Sequence, residues 1–259
     1  NFIKKQKGGN YLRAEIKLIV KAKAIIPYNY QHALTALIYR GLGAESQRLA
    51  TFLHDTGFRQ NTKTFKFFTF SPLSFTNFKT IREGIVVFPG FASFKVSSPL
   101  PEFIDYLTSG LWVIRNFKFL NLPVSIREIV PLPLKNFKDE EIFVLKSPLV
   151  LAVKNEEKTT PTYLTYVEDR DLYREKLLNN LINKYRVYYG REPEISTFDF
   201  TYDESFFKEK LPTRLITYKD QKIRGLCAPF KIKTNPELIS LGYYAGFGEK
   251  NSMGFGFVE

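Results

Sequence analysis

From Leu12 to Ala24 the chain alternates. Leu12, Ala14, Ile16, Leu18, Val20, Ala22 and Ala24 are apolar, while Arg13, Glu15, Lys17, Lys21 and Lys23 are charged; only Ile19 breaks the pattern. A period of two places successive side chains on opposite faces of an extended chain. This stretch is therefore read as a strand with one face in a core and the other in water. Pro27 and Asn29 interrupt it, and from Tyr30 the period changes. Tyr30, Leu34, Leu37, Ile38 and Gly41 fall on one helical face. Gly41 and Gly43 loosen that helix, and Leu49, Phe52 and Leu53 mark a continuation ending before Gly57. Residues 65–72 and 84–97 read as strands, and Pro89-Gly90 splits the second into a hairpin. Ser98-Pro99 opens a short helix with Leu100, Phe103, Ile104 and Leu107 inside and Gly110 closing it; 111–119 is a further strand. The order β-α-β-β-α-β is the ferredoxin-like split motif.

The order then returns. Residues 143–154 are apolar and β-rich. Residues 168–187 are helical, with Leu177, Leu178, Leu181, Ile182 and Tyr185 as the stripe and Gly190 past the end. A strand at 195–202, a hairpin from 215–218 and 223–232 around Lys219-Asp220, a short helix capped by Asn235-Pro236 and a closing strand at 254–259 complete it. The prediction is an α+β chain of two tandem ferredoxin-like (βαββαβ) domains, at 11–122 and 143–259. Pro123, Pro131 and Pro133 assign 123–142 to a linker. Residues 1–10 are polar and basic without an apolar stretch, and read as a leader segment rather than a signal peptide.

Charge and aromatics narrow the partner. Lys plus Arg is 38 against 26 Asp plus Glu, a formal charge of +12, and the chain holds 25 Phe and 15 Tyr. Bases stack on aromatic faces and phosphates seek cations, so this combination suits single-stranded nucleic acid. The plainer reading puts the Phe in the core and the Lys in water. No apolar run approaches the 18 residues of a membrane helix, so no membrane partner is expected. A lone Cys227 excludes an internal disulfide and a cysteine-based zinc site, and fits a reducing cytoplasm.

The sharpest local signal is Gly246-Phe247-Gly248-Glu249-Lys250-Asn251-Ser252-Met253-Gly254-Phe255-Gly256. Glycines let a backbone approach a ligand and expose successive N–H groups to an anion, and Lys250 adds a charge. A dinucleotide fingerprint needs glycine where Asn251 stands and a helix after it; a Walker loop needs Gly-Lys-Ser/Thr, which does not occur. The competing reading is a kinked turn before a terminal strand.

This block, preceded by Leu241-Gly242-Tyr243, resembles the glycine-rich loop closing the CRISPR-associated endoribonucleases of the RAMP superfamily, which cut precursor CRISPR RNA within its repeats. Ile26-Pro27-Tyr28-Asn29-Tyr30-Gln31, running through Leu37-Ile38-Tyr39, and Lys66-Phe67-Phe68-Thr69-Phe70-Ser71-Pro72-Leu73 resemble the same family. The resemblance spans residues 12–259 and implies two ferredoxin-like (RRM-like) domains. It implies metal-independent cleavage by a Tyr, a His and a Lys, with no cofactor. Carried over, these are Tyr39 as base or orienter of the 2′-hydroxyl, His54 as acid, and Lys66 as the cation on the phosphate. The three are expected to meet beside the glycine ribbon and to leave a 2′,3′-cyclic phosphate and a 5′-hydroxyl. The implied partner is CRISPR repeat RNA, with effector-complex subunits and a second copy of the chain as further candidates. The alternative function is a repeat-RNA-binding subunit that does not cut.

Rivals exist within the sequence. His32 lies seven residues before Tyr39, nearly two helical turns, so both can share a face; Lys63 rivals Lys66. His54-Asp55 also spells the dyad of metal phosphohydrolases, which need a further His and Asp on a helical bundle; the strand content argues against that fold. Asp199, Asp203 and Glu204 are candidate metal ligands or solvated acids, and Cys227 reads as buried rather than nucleophilic. Along the ribbon, Gly246, Phe247, Gly248, Glu249, Lys250, Asn251, Ser252, Gly254, Phe255 and Gly256 are expected to contact RNA. Arg214, Lys219, Lys222, Arg224, Lys231 and Lys233, interleaved with Tyr218 and Phe230, are expected to track a phosphate backbone or to form a charged edge that deters strand pairing.

Overall fold

The computed structural model describes residues 11–60, 62–154, 160–207 and 213–259; the leader read at 1–10 lies outside them. The chain forms two compact units. One comprises residues up to 57 together with 70–134, the other 58–69 together with 135–259. Among the described residues no helix is long and apolar enough to cross a membrane.

In the first unit, β1 (Arg13–Val20), α1 (Gln31–Glu45), β2 (Thr69–Phe70, of which Phe70 belongs to this unit), β3 (Gly90–Ser97), α2 (Pro101–Ile114), β4 (Asn116–Phe119) and β5 (Leu122–Pro131) follow in order. The sheet order is β4-β5-β1-β3-β2. Leaving β4 aside as an added edge, this is the split order, with first and third strands central and fourth and second outside. β1 pairs antiparallel with β3 and with β5, and its alternation does what the pattern demands: Ala14, Ile16, Leu18 and Val20 are buried. Leu34, Leu37, Ile38 and Leu42 of α1 and Phe103, Ile104, Leu107 and Leu111 of α2 are buried with them. The helices meet backbone to backbone, since a Cβ on Gly110 would lie 1.9 Å from the Gly41 carbonyl oxygen.

Four local readings are corrected here. Gly110 does not close α2 but lets α1 approach it, and the helix runs on to Ile114. The closing strand is therefore not 111–119; it is β5, in the segment assigned to a linker. Two of the prolines that suggest a linker sit at the ends of β5, where Pro123 follows Leu122 and Pro131 is last, and Pro133 lies just past it. Gly84–Val87 and β3 do not form a hairpin with each other. The former pairs with Ala24–Ile26 and Phe78–Ile81 in a second small sheet, because the chain changes sheets at Pro89. The strand at 65–72 is broken at Phe67, whose φ of 52° is incompatible with extended chain.

In the second unit, β6 (Glu140–Phe143), α3 (Arg170–Tyr189), β7 (Asp199–Tyr202), β8 (Thr213–Tyr218), β9 (Gln221–Leu226), β10 (Phe230–Lys233) and α4 (Pro236–Ala245) follow. The sheet order is β6-β10-β7, and the chain end adds to it where Val144 and Glu259 exchange backbone hydrogen bonds. The split order is thus repeated. Asp169 caps α3 by accepting from Leu172 N, and Gly190 ends it at a left-handed φ of 68°. Asn235 caps α4 with Pro236 at its first position. The predicted hairpin ends at Leu226, and β10 departs as the centre of the other sheet. The largest fully buried side chains across the two units are all aromatic except one, Lys184. Much of the aromatic excess therefore builds cores.

Candidate functional site

In the first unit, Ser46 ends α1 and caps a short helix, Gln47–Thr51, by accepting from Leu49 N at 3.3 Å. A π-helical turn, Phe52–Thr56, follows, and Gly57 stops it at φ 60° with its N–H on the Phe52 carbonyl. Such turns displace side chains from the α-helical register and recur at functional sites. Here Leu53 stays in the core while His54 stands in water, its side chain 68 % exposed. Tyr39, half-buried near the end of α1, donates its hydroxyl to the Leu53 carbonyl at 3.4 Å. Its ring meets the His54 imidazole edge to face, with centroids 5.3 Å apart and planes at 82°. His54 Nδ1 lies 2.6 Å from Asp55 Oδ1. Tyr39, Gln47, Thr51, His54 and Asp55 line an open hollow of about 310 Å³. The rival His32 lines a different hollow of about 270 Å³, with Arg40, Phe117 and Lys118. Seven residues of helix separate it from Tyr39 by ~10 Å along the axis, so a common face does not become a common site.

In the second unit the glycine ribbon is built by packing. Gly246, Gly248, Gly254 and Gly256 all have positive φ, between 70° and 90°. A Cβ would lie 2.5 Å from the Val150 carbonyl oxygen at Gly248, and 1.9 Å from that of Phe247 at Gly256. Phe247 and Phe255 are fully buried, and all four glycines are buried. These six residues shape the ribbon from inside, while Glu249 to Met253 present partly exposed side chains.

Lys184 of α3 holds that shape. Its ammonium donates to Gly246 O at 2.6 Å, Gly248 O at 2.7 Å and Asn251 Oδ1 at 2.8 Å. The Asn251 amide in turn donates to Phe247 O and Phe255 O. Burial pulls the Lys184 pKa down to about 7, with Glu249 opposing and Lys63 assisting. Sequence reasoning missed this residue, although 184 lies seven positions after Leu177 and so on the buried stripe of α3. A cavity of about 290 Å³ opens between the ribbon tip and residues 63–67, lined by Lys63, Lys66, Lys184, Glu249, Lys250 and Met253 among others. The 58–67 segment is anchored there by Phe67, which packs against Phe58, Phe65 and Tyr188. Lys63 pairs with Glu249 at 3.2 Å. The structure thus brings Tyr39 and His54 together in the first unit and sets Lys66, with Lys63, beside the ribbon in the second.

The remaining basic residues divide. Arg214, Lys222 and Arg224 are exposed on the β8–β9 hairpin, with Lys219 at its turn. Lys231 and Lys233 lie on the outer face of β10, where Lys233 sits across from Glu140 and Asp199 and Lys231 reaches Glu140 at 3.7 Å. Phe230 is buried and offers no stacking face. Asp199 pairs with Arg174, Glu204 with Arg170, and Asp203 accepts from Ser205; among the described residues no group of three His, Cys, Asp or Glu could hold a metal ion. Burial raises the Cys227 thiol to about 11, which removes it as a nucleophile at neutral pH.

The chain matches known proteins along nearly its whole length. The family model described as "CRISPR-associated protein Cas6, N-terminal" matches residues 25–130, and "CRISPR associated protein Cas6, C-terminal" matches residues 132–259. The chain is 32% identical to CRISPR-associated endoribonuclease Cas6 1 of Methanocaldococcus jannaschii, covering 95% of this chain and 92% of that one. It is 29% identical to CRISPR-associated endoribonuclease Cas6 of Pyrococcus furiosus, over 90% and 83% respectively. Among solved structures it is similar to the product of a Cas6-related gene from Pyrococcus furiosus, with a TM-score of 0.81 at 26% identity, covering 96% of this chain and 98% of that one. A structure described as CRISPR associated protein Cas6 gives 0.75 at 30%, with the same coverage.

Proposed function

From the premise that this chain belongs to the Cas6 family of CRISPR-associated endoribonucleases, we propose that it cuts precursor CRISPR RNA within its repeats by attack of the ribose 2′-hydroxyl on the adjacent phosphorus. The reaction needs a group on the 2′-hydroxyl, a proton for the departing 5′-oxygen and a cation for the charge on the phosphate. Tyr39 orients or deprotonates the 2′-hydroxyl, and His54 gives a proton to the 5′-oxygen. Lys66 steadies the pentacoordinate phosphate. The P–O5′ bond breaks as the P–O2′ bond forms, leaving a 2′,3′-cyclic phosphate and a 5′-hydroxyl. The observation that carries the reading is the Tyr39–His54 pair, a phenol and an imidazole 5.3 Å apart at the edge of an open hollow. A core histidine would be enclosed; this one is exposed with its ring against that of Tyr39.

RNA is held by Lys250 at the ribbon tip, by Lys63 and by Arg214, Lys222 and Arg224, as point charges on phosphates. The test is incubation of end-labelled repeat RNA with the protein in EDTA. Product carrying a cyclic phosphate is expected. Tight binding of uncut RNA refutes the proposal and leaves a repeat-RNA-binding subunit.

A further inference from the structure

We propose that Asp55 is the positioning carboxylate of His54, fixing which imidazole nitrogen carries the reaction. The inference rests on the reading of His54 as the acid. Adjacent residues on an α-helix diverge by about 100° and do not face each other. In the wider turn of Phe52–Thr56 the two tips meet, with Nδ1 2.6 Å from Oδ1. Among the described residues Asp55 has no other partner, while Gln47 and Thr51, which share the hollow, bond to each other at 3.1 Å. The carboxylate is thus given over to the imidazole. The sequence dyad His54-Asp55 finds its use here rather than in a metal centre.

The chemistry follows from proton placement. A neutral imidazole has one N–H, and an acceptor at one nitrogen holds the proton there. Asp55 accepts from Nδ1, which leaves Nε2 as the nitrogen that exchanges protons with RNA. When the imidazolium passes its Nε2 proton to the 5′-oxygen, it becomes the neutral Nδ1–H form, already bonded to Asp55. Solvent then reprotonates Nε2 for the next turnover. The proton given up by the 2′-hydroxyl passes on the Tyr39 side to solvent, which balances the one His54 regains, and Asp55 stays a carboxylate throughout.

The experiment compares Asp55→Asn and Asp55→Glu with the parent by two readouts. The first is the nitrogen-15 spectrum of the imidazole. The chain has only two histidines, so a His32→Gln background isolates His54. The parent is expected in the Nδ1–H form, Asp55→Asn to move toward Nε2–H, and Asp55→Glu to restore the parent. The second is the single-turnover cleavage rate. Because both side chains are more than 60% exposed, the loss in Asp55→Asn is set at about two- to fivefold, with RNA affinity unchanged and partial recovery in Asp55→Glu. An unchanged tautomer and rate in Asp55→Asn overturns the proposal. A His54→Ala variant that cuts as fast as the parent overturns the underlying assignment instead, and the spectrum still decides the Asp55 contact.

Discussion

Lys184→Met is the most informative perturbation of the ribbon. It removes three hydrogen bonds from a charged donor and leaves Gly246 O, Gly248 O and Asn251 Oδ1 short of a partner in a buried site. Hydrogen bonds to a charged group contribute about 1.5–3 kcal/mol each. Against them stands the penalty of burying an ammonium, visible in the pKa pulled down to about 7 and worth several kcal/mol. Each buried neutral acceptor left without its donor costs about 1–3 kcal/mol. Methionine fills most of the volume, so the lower end applies, and a loss of about 3 kcal/mol is expected in urea unfolding. The pH dependence has a definite sign. With a folded pKa of about 7 and an ordinary lysine value of 10.5, the unfolded chain holds more protons on this group between those values. The parent's stability relative to the variant therefore rises with pH across that window and is lowest below it. A variant within about 0.5 kcal/mol of the parent, with no such slope in the difference, would refute the account of Lys184 as the residue that shapes the ribbon.

Gly248→Val is expected to weaken RNA binding and to destabilise the second unit, because its φ is 74° and a Cβ meets the Val150 carbonyl at 2.5 Å; unchanged affinity by filter binding would reduce the ribbon to a turn. His54→Ala is expected to slow single-turnover cleavage by about 10²- to 10⁴-fold with RNA affinity kept, while His32→Ala leaves the rate unchanged; the reverse result would move the acid to the His32 hollow.

What could be read from the sequence was local. The α1 stripe, the Asn235-Pro236 cap and Gly190 beyond α3 each report their own backbone, and each holds in the structure; the alternation of 12–24 holds only from Ala14 to Val20, since the strand stops there, Ala22 is exposed beyond it and Arg13 is buried despite its charge. The closing strand of the first unit was misplaced because Pro123 and Pro131 look like linker residues when pairing with β1, more than 100 positions earlier, is unseen. Gly110 looked like a helix stop for the same reason; its purpose is the Gly41 carbonyl across the helix pair. The ribbon was visible as glycines, but its logic was not, since Lys184 lies 62 and 64 positions from the carbonyls it holds. Tyr39 and His54 were named through a family resemblance. Their contact depends on a π turn that no residue pattern announces.

The central claim is that the RNA's own 2′-hydroxyl is the nucleophile and that the Tyr39–His54 pair serves it. Repeat RNA carrying a single 2′-deoxyribose immediately upstream of the scissile phosphate tests this most directly. The account predicts that the substituted RNA binds with parental affinity and is not cut. Scission of that RNA at the parental rate would mean that water attacks the phosphorus, and would contradict the assignment.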